Sequence, residues 1–354
     1  MKLKFILIIY ISISISSNVL SQNKFKQIDS LVIEFAKNKQ LSGSVLVKTN
    51  GKIIYQRGIG YANHELQVTN SPSTKFRLAS ITKQFTSMLV MMMVNDNKMK
   101  LDAVVNDYLP DYSEKNGKII TIHQLLSHTS GMPHYESIPD FFKDKSRLSY
   151  THKDFITMIG SLDLKTKPGV AFSYSSFGYY LLGYILETVT GKSYSSLLKE
   201  RIIDPLELKN TGVDNHFNII LNRANGYNIS PLGILNAEYR DMSTALATGD
   251  IYSTVGDLSI WDDALSKNTL LNEKLQSQIF KPNLNNYGYG WNISYKKTGT
   301  DSVLIHQHSG STNGFLSLIT RIPETNSLIV ILCNVVPAQL SLLNNQILAV
   351  LNKR

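Results

Sequence analysis

Apolar residues recur along this chain with two periods, and the changes of period mark out its organisation. From Phe25 to Lys37 the positions Phe25, Ile28, Leu31, Val32 and Phe35 lie three or four apart, the repeat of a helix that buries one side. Ser42 to Lys48 is a short, largely apolar run. Thr49-Asn50-Gly51 then carries the signature of a tight hairpin turn, with Lys52–Gln56 as the returning strand. Helical spacing resumes at Ser80, where Ile81, Phe85, Met88, Leu89 and Met92 fall on one side. It continues through Ile122–Leu126, Lys153–Ile159, Tyr179–Val189 before Gly191, and Tyr194–Ile203 before Pro205. Strand-like runs return towards the end, at Tyr289–Tyr295, Val303–His308, Phe315–Ile322 and Leu328–Leu332, and a last helix is predicted over Gln339–Leu351.

Strands at both ends with helices between them predict an α+β fold. One antiparallel sheet is built from the N- and C-terminal segments (about 22–78 and 245–354) and flanked by helices, with a mostly helical domain (about 79–244) inserted. Neither an internal repeat nor a low-complexity tract interrupts this plan.

Composition changes the picture at the N-terminus. Lys2 and Lys4 precede the apolar run Phe5–Ile11, and Val19-Leu20-Ser21 offers a cleavage site before Gln22, so residues 1–21 read as a secretory signal peptide. Serines at 12, 14, 16 and 17 interrupt the run, which is short for a bilayer span. The protein is then secreted or periplasmic, with no membrane span once the leader is removed. The chain of 354 residues carries a net charge of +9, but its cations are scattered in ones and twos, which argues against nucleic acid as a partner. The single cysteine, Cys333, lies in the apolar run 327–333 and reads as a buried strand residue, so no intramolecular disulfide can form.

The candidate chemistry centres on Ser80-Ile81-Thr82-Lys83, an S-x-x-K spacing at a predicted helix start. One helical turn separates i from i+3, so the Lys83 amine can reach the Ser80 hydroxyl. A serine is a poor nucleophile until a base takes its proton, and a lysine serves once burial or nearby charge lowers its pKa. Free N–H groups at a helix start also favour the negative charge that develops on a carbonyl under attack. Two further triplets stand at element boundaries: Tyr174-Ser175-Ser176 in a loop before a helix, and His308-Ser309-Gly310 at a predicted strand end.

In this order, the three elements resemble those of the serine β-lactamase and penicillin-binding protein superfamily, in particular its class C-like branch with D,D-carboxypeptidases, D-amino-acid peptidases and esterases. Leu125-Leu126-Ser127-His128-Thr129-Ser130-Gly131-Met132, Tyr179–Gly183, Lys209-Asn210-Thr211 and Gly249–Thr254 are similar to segments of the same branch. The resemblance implies Ser80 as nucleophile, Lys83 as its lysine partner, and Tyr174 as the tyrosine of the Y-x-N element. It further implies that Ser176, His308, Ser309, Gly310 and Ser311 face the substrate, with the backbone N–H groups of Ser80 and Ser311 forming the oxyanion hole. Attack, acyl-enzyme and hydrolysis follow without a cofactor. The substrate is then a peptide or small molecule, cell-wall material included.

Two positions depart from the family pattern: Ser176 replaces the usual asparagine, and His308 replaces the lysine usual in β-lactamases. Serine is shorter and lacks the paired donor and acceptor of an amide, and histidine is not a fixed cation. D-amino-acid peptides, or related amides and esters, are therefore expected before β-lactams. The competing readings are a class C-like β-lactamase, a non-catalytic penicillin-binding sensor, and a metalloenzyme built on His306 and His308 with His123, His128 or His134.

Overall fold

The computed structural model describes residues 22–298 and 301–352, so the leader expected over 1–21 lies outside the described residues. A first helix, α1 (22–37), precedes the hairpin of β1 (Gly43–Thr49) and β2 (Lys52–Ile59). The turn closes because Asn50 and Gly51 both take positive φ, 50° and 72°, which a two-residue hairpin of this twist requires. The middle of the chain supplies α2 (Thr82–Asn95), α3 (Ser176–Thr190) and shorter helices, among them Ile122–Leu126 on its expected bounds. After α4 (Val255–Ser266) come β3 (Asn292–Thr298), β4 (Asp301–Thr312), β5 (Phe315–Ile322) and β6 (Ser327–Cys333). Helix α5 (Leu340–Leu351) follows.

The strands form one antiparallel six-stranded sheet in the order β3-β4-β5-β6-β1-β2, and Leu46 of β1 lies opposite Val330 of β6. Strand β6 is buried at every position, and its alternate side chains serve two cores. Leu328, Val330 and Leu332 pack into the core that contains α2 and α4, whereas Ile329, Ile331 and Cys333 pack with α1 and α5. The α+β architecture inferred from the sequence is the one observed, with a mainly helical stretch inserted between the strands of one sheet.

Three local expectations need correction. Helix α2 does not bury one face: every residue from Thr82 to Met93 is buried. Its polar residues find partners inside the protein, Thr86 with Tyr194 and the Ala247 carbonyl, Ser87 with Tyr179, and Gln84 with the Trp261 indole. Strand β3 begins at Asn292 rather than Tyr289, because Gly290, at φ 78°, turns the chain close over the backbone of Lys83 and Gln84. Strand β4 does not end at the His308 triplet but runs on to Thr312, with Gly310 and Ser311 still paired to Ser317 and Leu316.

An ion cluster, buried at Lys48, Asp262 and Arg321 and open at Asp263, ties the sheet to α4. Lys48 of β1 lies 2.5 Å from Asp262 and 2.6 Å from Asp263, and Asp262 also accepts from Arg321 of β5 at 2.5 Å. Removing one member leaves the others desolvated with less compensation. Lys48→Met is expected to lower the unfolding free energy by about 3 kcal/mol in urea denaturation, the cost of breaking a buried pair. An unchanged midpoint would show that the cluster adds nothing to stability.

Candidate active site

Strand pairing delivers Ser80 to its place. The short strand Phe76–Arg77 pairs with Ile251–Ser253, and the Leu78 N–H donates to the Ile251 carbonyl at 2.8 Å. The chain then reverses at Ala79, whose φ of 47° is unusual for a residue with a Cβ and costs about 1 to 3 kcal/mol. A single tight turn, Ala79–Ile81, leads into α2 at Thr82. Ser80 therefore sits in the turn before the helix, not on the helix itself, with Lys83 in the first turn of α2. Strand β4 closes the other side: a Cβ on Gly310 would lie 2.2 Å from the Leu78 carbonyl and 3.0 Å from the Ser80 nitrogen. Only glycine permits this approach.

The Lys83 side chain is fully buried, and its Nζ lies 3.1 Å from Ser80 Oγ, 3.3 Å from Ser176 Oγ and 2.9 Å from the Thr248 carbonyl. Among the described residues no carboxylate forms an ion pair with it. Burial first, and then the Arg240 charge, lower its pKa to about 7, against an opposing pull from Asp250. Asp250 is itself buried, and desolvation pushes its carboxyl up to about 7.

Tyr174 arrives on the loop before α3, while Ser176, read from the sequence as part of that loop, is the first residue of the helix. Ser175 caps that helix, donates to the Pro133 carbonyl at 2.5 Å and gives its N–H to His128 Nδ1 at 3.2 Å. His128 is buried against the Tyr174 ring, centroids 4.2 Å apart, and burial keeps it neutral. Lys83 Nζ stands 5.2 Å from the Tyr174 ring centroid. The Tyr174 hydroxyl is inaccessible and has no hydrogen-bond partner among the described residues, and burial raises its pKa. Ser80 acts on it in the opposite direction, without the geometry of a full hydrogen bond.

His308 is held by two contacts. Its Nδ1 lies 2.7 Å from the Ser309 carbonyl, so Nδ1 donates and Nε2 accepts from the Tyr287 hydroxyl at 2.8 Å. Burial, then the nearby Lys83, lower its pKa to about 4, leaving a neutral imidazole where a lysine would carry charge. Ser309 and Ser311 are exposed along the same strand edge. Ser80, Tyr174, Ser176, His308, Ser309 and Ser311 all line one cavity of about 580 Å³. Gly310 does not line it, since it faces the Ser80 turn.

Several residues of the site carried no local signal in the sequence. Thr248 acts through its backbone carbonyl, and Tyr287 reaches the site only because the turn before β3 folds over α2. His134 lies 3.2 Å from Ser176 Oγ, 42 residues earlier in the chain. Arg240 lines the cavity while 7% exposed, stacked 4.9 Å from the Tyr135 ring centre, and donates to Thr244; no carboxylate of the described residues pairs with it. Arg77, three residues before Ser80 in sequence, is instead neutralised by Asp214 at 2.7 Å.

This fold, with a serine on the cavity and a buried lysine bonded to it, defines a serine hydrolase of the β-lactamase and penicillin-binding protein superfamily. The family model described as Beta-lactamase matches residues 28–352, and the chain belongs to that family. It is 31% identical over 347 residues to Protein flp of Staphylococcus aureus (strain MW2), covering 93% of this chain and 67% of that protein. It is 27% identical to the putative penicillin-binding protein PbpX of Bacillus subtilis (strain 168), covering 94% and 81%. Among solved structures it resembles the octameric penicillin-binding protein homologue from Pyrococcus abyssi, with TM-score 0.80, 25% identity and coverage of 92% and 77%. It also resembles the D-amino acid amidase from Ochrobactrum anthropi SV3, with TM-score 0.79, 25% identity and coverage of 93% and 97%.

Because the Arg240 charge disfavours a second cation nearby, Arg240→Met is expected to raise the Lys83 pKa above about 7. Titration of the lysine ζ nitrogen by NMR reads this directly. A fall, or no change, would mean that Arg240 is screened from Lys83.

Proposed function

We propose that this protein is a secreted serine hydrolase that forms an acyl-enzyme on Ser80 and cleaves D-amino-acid-containing peptides or related amides and esters. One observation carries the reading: a buried lysine with a pKa near 7 stands 3.1 Å from the hydroxyl of Ser80, which lines a cavity large enough for a peptide end. In this mechanism Lys83 takes the Ser80 proton as Oγ attacks the carbonyl carbon. The oxyanion is met by the backbone N–H groups of Ser80 and Ser311. Collapse expels an amine or alcohol, which receives the proton from Lys83 through Tyr174, and water then releases the acid. The leader composition of residues 1–21 supports secretion, and no helix of the described residues is long and apolar enough to cross a membrane.

The substrate class rests on charge and reach. His308 is neutral and Ser176 is short, so neither supplies the contacts that lysine and asparagine offer a β-lactam in the family. Arg240, with which no carboxylate of the described residues forms an ion pair, adds a cation to the lining of the cavity, which suits a substrate that bears a carboxylate. Similarity to a D-amino acid amidase and to penicillin-binding proteins supports the same class.

Ser80→Ala is expected to abolish turnover and covalent trapping by a fluorophosphonate while costing about 1 kcal/mol or less in stability. A folded variant that still turned over would refute the mechanism. As a base, Lys83 works unprotonated, so kcat/KM should rise with pH through about 7 and level off above it. Lys83→Met should remove this limb along with most of the rate; a limb that survives would place the base elsewhere.

Among substrates, a D-alanyl-D-alanine peptide, a D-amino-acid amide and a short ester should each give a higher kcat/KM than a chromogenic cephalosporin. The loss of one charged contact and one amide contact predicts about ten- to a hundredfold for the penalty on the cephalosporin. A cephalosporin turned over fastest, with no peptide or ester cleavage, would make the protein a β-lactamase.

A further inference from the structure

One residue grips Tyr174 from both sides. The Ser173 N–H donates to the His128 carbonyl at 2.7 Å, and the Ser175 N–H donates to His128 Nδ1 at 3.2 Å. The His128 backbone is left-handed, at φ 56°, a conformation that asparagine and histidine adopt more readily than most residues with a Cβ. In it, the carbonyl and the ring of one residue reach backbone N–H groups on either side of the same tyrosine.

Tyr174 needs such a hold. Its hydroxyl is inaccessible and has no hydrogen-bond partner among the described residues, so its direction is set by its backbone and by the rings around it. The His128 imidazole lies 4.2 Å from the Tyr174 ring centre, closer than His134 at 5.7 Å or Tyr287 and His308 at 6.3 Å. Since Nδ1 accepts, the neutral imidazole carries its proton on Nε2, which is buried without a hydrogen-bond partner among the described residues. A buried donor left unpaired costs stability, so packing alone gives no reason for an imidazole at this position. Protonation of Nδ1 would turn an N–H against the Ser175 N–H. Burial first, and then the Lys83 charge, hold the ring well below the usual histidine pKa, so Nδ1 stays an acceptor.

We propose that His128 is a positioning residue for Tyr174: by holding the N–H groups of Ser173 and Ser175 and packing its ring on the tyrosine, it aims the Tyr174 hydroxyl at the departing group. The step it serves is proton delivery. As the tetrahedral intermediate collapses, the bond from the carbonyl carbon to the leaving nitrogen or oxygen breaks. The Tyr174 O–H proton passes to that atom, and Tyr174 regains a proton from the Lys83 ammonium. An alkoxide or an amine anion is too basic to leave without that proton, whereas p-nitrophenolate and fluoride leave without it. Loss of aim therefore shows in the leaving group.

This inference rests on Tyr174 as the proton relay of the proposed mechanism, and the test separates the two. The specificity constant kcat/KM is measured for p-nitrophenyl butyrate and ethyl butyrate in wild type, His128→Ala, Tyr174→Phe and the double variant. His128→Ala should slow the ethyl ester about tenfold or more and the p-nitrophenyl ester less than about threefold, while fluorophosphonate labelling of Ser80 stays near the wild-type rate. In the Tyr174→Phe background the same substitution should change the ratio of the two esters less than about twofold, because the group it aims is gone. His128→Asn, whose Oδ1 takes the place of Nδ1 and which suits the left-handed backbone, should keep the ratio within about twofold of wild type, and it tests the proposal even where His128→Ala does not fold. Equal losses on both esters, a shift by His128→Ala that survives in Tyr174→Phe, or a shift in His128→Asn would overturn the proposal. If Tyr174→Phe shifts the ratio and His128→Ala does not, the relay stands and the role of His128 falls. If Tyr174→Phe leaves the ratio unchanged, both fall.

Discussion

The site depends on one constraint, the burial of an amine that no carboxylate of the described residues contacts. A lysine in water holds its proton far above neutral pH, and an adjacent carboxylate would hold it more firmly. Lys83 is offered a carbonyl and two hydroxyls instead, neutral groups that satisfy its donors without supplying a counter-charge. That choice explains why α2 is buried all round. A half-exposed helix would let water reach its first turn and return the amine to its ordinary pKa. It also explains why the polar residues of α2 are bonded inward, to Tyr194, Tyr179 and Trp261, rather than outward to solvent.

Around this helix the site is assembled from segments that are distant in sequence and held by different means. The Ser80 turn is fixed by strand pairing with Ile251–Ser253, the Tyr174 loop by the Ser175 cap and its bond to His128, and the His308 strand by the sheet itself. Since β1 pairs with β6, the sheet that carries β4 joins both ends of the described chain. The cavity is therefore a property of the completed fold and of no single subdomain.

Much of this was legible in the chain. The hairpin at Asn50-Gly51, the bounds of Phe315–Ile322 and the spacing of Ser80 to Lys83 are local statements, and local rules read them. The failures were of another kind. The full burial of α2 was hidden because Thr86, Ser87 and Gln84 look like a solvated face until their partners, more than ninety residues away, are in place. The shift of β3 came from a contact between Gly290 and the start of α2. Thr248 was not legible because it acts through its backbone carbonyl; His134 could be named only as a candidate metal ligand, and neither it nor Arg240 could be given a working role, because their place in the site comes from tertiary position and not from their immediate neighbours.

The close approach at Gly310 has an implication for how the pocket can be varied. A side chain there would strike the Leu78 carbonyl and the Ser317 hydroxyl, so the strand and the Ser80 turn behave as one rigid body. The residues on either side of it, Ser309 and Ser311, point the other way into open space. Neighbouring codons thus have opposite tolerance. One is closed to any replacement, while the two beside it can be randomised to reshape what the pocket accepts without moving the atoms proposed to perform the chemistry.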